Sequence, residues 1–98
     1  MFDEPLDPPK LIDLLEREFL PQFHTPTAYQ YRHSITKLAI SLGYQPTPRD
    51  LRGYVIDWLE NWLTIHGHGR KSVQSVVQRV HKICSWYALR QLERGPRT

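Results

Sequence analysis

Apolar residues recur at helical spacing in four stretches of the chain, and nowhere does the sequence show the alternation or the β-branched runs of a sheet. In the first stretch Leu11, Leu14 and Leu15 share one face, with Asp7 as cap, Pro8 at the first helical position and Pro21 beyond the end. The second opens with Thr25 as cap and Pro26 after it. It aligns Ala28, Tyr31, Ile35, Leu38, Ala39 and Leu42, and stops at Gly43. The third begins at Thr47-Pro48-Arg49-Asp50, a threonine with an acid three residues on, related to the capping box. Its stripe reads Leu51, Tyr54, Val55, Trp58, Trp62 and Ile65, and Ile56, Leu59 and Leu63 fall on an adjoining arc. Being apolar over so much of its circumference, this helix is expected to lie sandwiched within the bundle. The fourth runs from about Ser72 to about Arg94, with Val73, Val76, Val77, Val80, Cys84, Tyr87 and Ala88 on one side and Gly95-Pro96 as the stop.

The pattern predicts an all-α protein of four helices. With 98 residues, 40% of them hydrophobic, there is material for one core, so residues 1–98 are expected to form a single domain with residues 1–7 as a tail. The start, Met1-Phe2-Asp3-Glu4-Pro5, is acidic and proline-broken, unlike a signal peptide, and no apolar stretch reaches membrane-spanning length. Cys84, the single cysteine, has no partner for a disulfide or a metal-binding pair, which fits a reduced, cytoplasmic setting.

Charge alters the picture through its distribution more than its total. The formal net charge is +3, yet residues 1–24 hold six acids and two bases, whereas residues 67–98 hold seven bases and one acid. A basic end of this kind suits an anionic partner, although lysine and arginine also serve simply to keep a helix face wet. At 100° per residue, the side of the fourth helix opposite its valines displays Lys71, Gln74, Ser75, Gln78 and Lys82, with Arg70 at its mouth and Arg79 on the flank. Cations to neutralise phosphates, and glutamine and serine to hydrogen-bond backbone or base edges, are the side chains a DNA-contacting helix needs. Free amides at the helix start near Ser72 favour a phosphate there. The second helix repeats the arrangement with Gln30, His33 and Lys37, and Thr25 and Thr27 stand at its amino end.

Other candidates carry less. His66 and His68 offer two metal ligands on a glycine-flanked turn without an evident third. Cys84 lies on the core stripe, where a thiol is structural, and Tyr54, Trp58 and Trp62 are spaced as core. Trp86 and Leu89 fall off the core stripe and are free to meet a linker or a second domain. Phosphate-cradling glycine loops, nucleophile triads and cleft acid pairs are missing, so neither catalysis nor a cofactor is expected.

The order of elements resembles the N-terminal SAM-like, or core-binding, domain of the phage integrase family of tyrosine recombinases. Thr27-Ala28-Tyr29-Gln30-Tyr31 followed by Ile35 and Leu38 is similar to the opening of that domain's second helix. Thr47-Pro48-Arg49-Asp50-Leu51-Arg52-Gly53-Tyr54-Val55 is similar to the segment opening its third. Ser72-Val73-Gln74 through Val77, Val80, Ile83, Cys84 and Trp86 to Gly95-Pro96 is similar to its fourth helix and exit. Departures are Pro26, where a lysine is frequent, and Ile83-Cys84 in place of an aromatic pair. The resemblance spans roughly residues 8–96 and implies a four-helix orthogonal bundle forming half of a clamp around double-stranded DNA, with the second and fourth helices facing the duplex.

On that resemblance the contact role passes to Thr27, Gln30, His33 and Lys37, and to Arg70, Lys71, Ser72, Gln74, Ser75, Gln78 and Lys82. Thr25 and Arg79 join them as flanking contacts. The family's catalytic tyrosine and its partners belong to a following domain, so no tyrosine here takes that role. The implied partners are DNA, the parent recombinase's catalytic domain and neighbouring protomers on DNA, with the isolated domain a monomer and no membrane involved. Two alternatives of other classes stand beside it. One is a helical protein-interaction module using Ile56, Leu63, Trp86 and Leu89. The other is a helix-turn-helix regulator, against which stands the glycine- and histidine-rich connection before the fourth helix, read as longer than the usual three- or four-residue turn.

Overall fold

The computed structural model describes residues 10–94, and the expected Asp7 cap, Pro8 position, N-terminal tail and Gly95-Pro96 stop lie outside them. The described chain is helical throughout, without a strand, in the order α1 (Leu11–Glu18), a 3-10 turn (Leu20–Gln22), α2 (Thr25–Leu42), a second 3-10 turn (Pro48–Asp50), α3 (Gly53–Ile65) and α4 (Arg70–Arg94). No helix among the described residues is long and apolar enough to cross a membrane.

Each helix buries its aliphatic seam in one shared core. Leu11 and Leu15 of α1, with Phe19 and Leu20 after it, meet Ala28, Tyr31, Ile35 and Leu38 of α2, Val55, Leu59 and Leu63 of α3, and Val73, Val76, Val80 and Ile83 of α4. A fully buried leucine contributes about 1.5–3 kcal/mol through the area it removes from water. At the foot of the core Phe19 stands 5.0 Å, ring centre to ring centre, from Phe23, Tyr31 and Trp86. Arg90 lies over the Trp86 ring and pairs with Glu18, closing the end of α4 onto the end of α1. The far end of α1 is held by its first amide, which donates to the Pro46 carbonyl at 2.8 Å.

Helix ends follow local chemistry. Gly43 sits at φ 86°, a left-handed position suited to glycine, and its amide donates to Ala39 to close α2. α3 ends in a Schellman turn: the His68 amide reaches Leu63 and the Gly67 amide reaches Thr64, both at 3.1 Å, with Gly67 at φ 85°. The expected turn in His66-Gly67-His68-Gly69 is therefore a hydrogen-bonded cap, with the His66 ring stacked on Trp62 at 3.9 Å. The connection from α3 to α4 is residues 66–69, short enough that loop length does not exclude a helix-turn-helix arrangement.

Several expectations need correction. The α2 cap is His24, and Thr25 is already the first helical residue. The Thr47–Asp50 motif does form, the Asp50 carboxylate accepting from the Thr47 amide at 2.8 Å, but it caps a single 3-10 turn. The chain breaks at Leu51 and α3 starts only at Gly53. α3 is not sandwiched either: Val55, Leu59 and Leu63 point inward, while Tyr54 and Ile65 are 65% and 70% exposed. Aliphatic side chains four residues apart fill a narrow seam, and the aromatic residues keep their polar edges toward water. Trp58 is exposed along one edge while its indole N–H donates to Ser41 Oγ at 3.2 Å, and Ser41 donates on to the Leu38 carbonyl at 2.8 Å. On α4, Ile83 is buried, Cys84 is half-buried and Ala88 is exposed, a rotation of the seam by one position toward its end.

Candidate nucleic-acid interface

α2 and α4 lie side by side in opposite directions. Thr27 faces Gln78 and Lys82, Gln30 faces Arg79, and His33 faces Lys71, Ser72 and Ser75 across an open cleft. Tyr31 and Val76 form its floor. Two stripes that are separate in sequence thus become the walls of one surface feature, because the buried seams of both helices turn their neighbouring flanks toward each other.

Electrostatics follow from the partition of acids. Among the described residues no carboxylate lines this cleft. The described acids lie on α1 (Asp13, Glu16, Glu18), in the loop before α3 (Asp50), on α3 (Asp57, Glu60) and near the end of α4 (Glu93). Arg32 of α2 is turned away and bound to Glu16, whose carboxyl it holds below the ordinary carboxylate range through their hydrogen bonds. Among the described residues Lys71 and Lys82 enter no ion pair, so their charge faces solvent over the cleft. Helix α4 begins at Arg70 rather than Ser72. Its hydrogen-bond ladder starts with the Val73 amide donating to Gly69, which leaves the amides of Arg70, Lys71 and Ser72 ahead of it, and the latter two residues line the cleft. The positive end of the helix therefore adds to the cationic side chains.

Arg79 does more than line the wall. Its guanidinium donates to Gln30 Oε1 at 2.9 Å and to Ser34 Oγ at 3.4 Å, tying α4 to α2 beneath the cleft. Ser34 is completely buried and its hydroxyl also donates to the Gln30 carbonyl at 3.1 Å, so the pin reaches into the core. The carbonyl oxygen of the Gln30 side chain is engaged by this bond, leaving its amide group to face outward.

Not every expected contact joins the cleft. Thr25 sits on the opposite side of α2, beside Glu16, Phe23 and Arg32. Arg70 and Gln74 open onto a separate groove against α3, with Glu60, Thr64 and His68. Lys37 lies a turn beyond His33 on α2, half-buried and outside the cleft lining. Of the four residues expected to form a partner surface, Leu63 is buried at 1% exposure, Ile56 and Trp86 are half-buried against the core, and Leu89 is 60% exposed. Burial pushes the Cys84 thiol up, which holds it in the unreactive protonated form.

Tyr29 was not singled out from sequence, yet it stands 64% exposed beside the cleft with its ring nearly parallel to that of His33. Its signal was an aromatic residue four positions before a polar-stripe histidine, on a helix whose core positions were already filled by Ala28 and Tyr31.

Compared with protein-family models, curated proteins and solved structures, the chain finds no match.

Proposed function

We propose that this chain is a DNA-binding module that grips the phosphate backbone in the cleft between α2 and α4. The observation that carries this reading is the acid-free lining that combines Lys71, Lys82 and Arg79 with Thr27, Gln30, Ser72, Ser75 and Gln78. Cations supply affinity by releasing counterions from the duplex, and hydroxyls, amides and the helix start fix register on phosphate oxygens. Arg79, bound to Gln30 and Ser34, sets the spacing of the walls and keeps guanidinium donors for a phosphate. The resemblance of its element order to integrase core-binding domains makes the more specific proposal that the module is one jaw of a recombinase clamp, with catalysis residing in a separate domain.

Titration of a labelled duplex by fluorescence anisotropy tests the surface. Wild type is expected to bind with affinity that falls steeply with salt, and Lys71→Glu with Lys82→Glu to abolish the signal. Replacing the two lysines with glutamine instead should lower the slope of log K against log salt by about 2. Undiminished binding by the double glutamate variant would place the contact elsewhere.

A further inference from the structure

The geometry points to a nucleobase site on the rim of the cleft: the exposed Tyr29 ring, stacked beside His33, receives one unpaired base of the bound nucleic acid on its face. This rests on the DNA-binding reading above and adds to it the kind of DNA that fits best, a strand with a base outside its pair.

Three observations meet here. The rings of Tyr29 and His33 are 17° from parallel with centres 6.4 Å apart. Offset-stacked rings in contact have centres about 4.5–7 Å apart, so the two rings already form a stacked pair and the exposed Tyr29 ring keeps a face for a base to cover. Second, Tyr29 has no place in the core and is 64% exposed, so its flat apolar face meets water until something covers it. Third, His33 belongs to both features: it lines the cationic cleft with Lys71, Ser72 and Arg79 and it is one ring of the stacked pair. Phosphates lying in the cleft beside His33 are therefore one side chain away from the Tyr29 ring. Alternation of cationic groove and aromatic platform is how proteins hold bases that are free of their complement, since every base offers a π-face irrespective of sequence.

The experiment compares a fully paired duplex with the same duplex carrying one unpaired 2-aminopurine. Anisotropy gives affinity and the 2-aminopurine emission reports stacking. Wild type and Tyr29→Phe are expected to prefer the bulged probe and to quench its emission, because both keep the ring. Tyr29→Ala is expected to bind the bulged probe roughly 5- to 100-fold more weakly without quenching. Its affinity for the paired duplex should change by no more than about twofold, as befits an exposed position. A circular-dichroism spectrum matching wild type secures its fold. If Tyr29→Ala equals wild type on the bulged probe while the Lys71→Glu, Lys82→Glu double variant loses both probes, the charged cleft stands and the base site is refuted. If wild type binds neither probe, the DNA-binding reading falls and takes the base site with it.

Discussion

Replacing Arg79 by methionine separates its two duties, because methionine keeps much of the packing of the arginine stem and removes only the guanidinium. The charged hydrogen bond to Gln30 at 2.9 Å is the main loss, and the 3.4 Å contact to Ser34 adds little. Hydrogen bonds to charged groups are worth about 1.5–3 kcal/mol, but Gln30 is exposed and water takes over its carbonyl oxygen, which brings the expected cost to about 1 kcal/mol. Ser34 keeps its own bond to the Gln30 main chain, so no buried hydroxyl is orphaned. For a domain of this size about 1 kcal/mol lowers the melting temperature by roughly 4–8 °C. The assay is thermal and urea unfolding of wild type, Arg79→Met, Gln30→Met and the double variant. A coupling of about 0.5–1.5 kcal/mol between the two sites is expected. If the two single changes simply add, or if Arg79→Met melts with wild type, the pin between α2 and α4 does not exist in solution.

Two further outcomes follow from the helix caps and the surface pair. Gly67→Ala should cost about 1–2 kcal/mol in a thermal melt, since its φ of 85° strains any other residue although an added methyl meets open space. Gly69→Ala, which has the same space and no positive φ but occupies the cap position of α4, should cost less, about 0.5 kcal/mol. Glu16 binds its proton less tightly when folded, through its hydrogen bonds with Arg32. The stability it contributes is present above the ordinary glutamate value of 4.5 and is lost as pH falls through its lower folded value. Arg32→Met should flatten that acid limb of the stability curve, and an unchanged limb would show that the pair is not formed.

Much of this architecture can be read before any coordinates are seen, and the reason differs by helix. α2 and α4 are amphipathic with one aliphatic seam each, so Ala28, Tyr31, Ile35 and Leu38, and Val73, Val76 and Val80, identify themselves by spacing. Gly43 marks a stop because only its backbone takes the left-handed turn without cost. α3 misleads because hydrophobicity is not burial. Tyr54, Trp58 and Ile65 look as apolar as Val55, Leu59 and Leu63, and the choice between them depends on which face meets α4 and α2. Thr47 and Asp50 do what their spacing says, but a local capping pair does not determine how far the helix after it continues. The two polar stripes are visible as periodicity, whereas their juxtaposition is tertiary: nothing in sequence sets Gln30 opposite Arg79, or sends Arg70 and Gln74 to the α3 side. For the same reason Arg32, Arg79 and Arg90 look alike as charges, although each is bonded within the fold in its own way.

Arg79 and Arg90 also have a mechanical consequence. They are about three turns and roughly 16 Å apart on α4, hence at nearly the same azimuth of the helix. One is fastened to α2 through Gln30 and Ser34, the other to α1 through Glu18. A rod fixed at one point swings about it, whereas a rod fastened at two points this far apart keeps its direction. The cleft wall carried by residues 71–82 is therefore held at a set slant to α2, and for the proposed DNA-binding role this means a surface aligned before its ligand arrives.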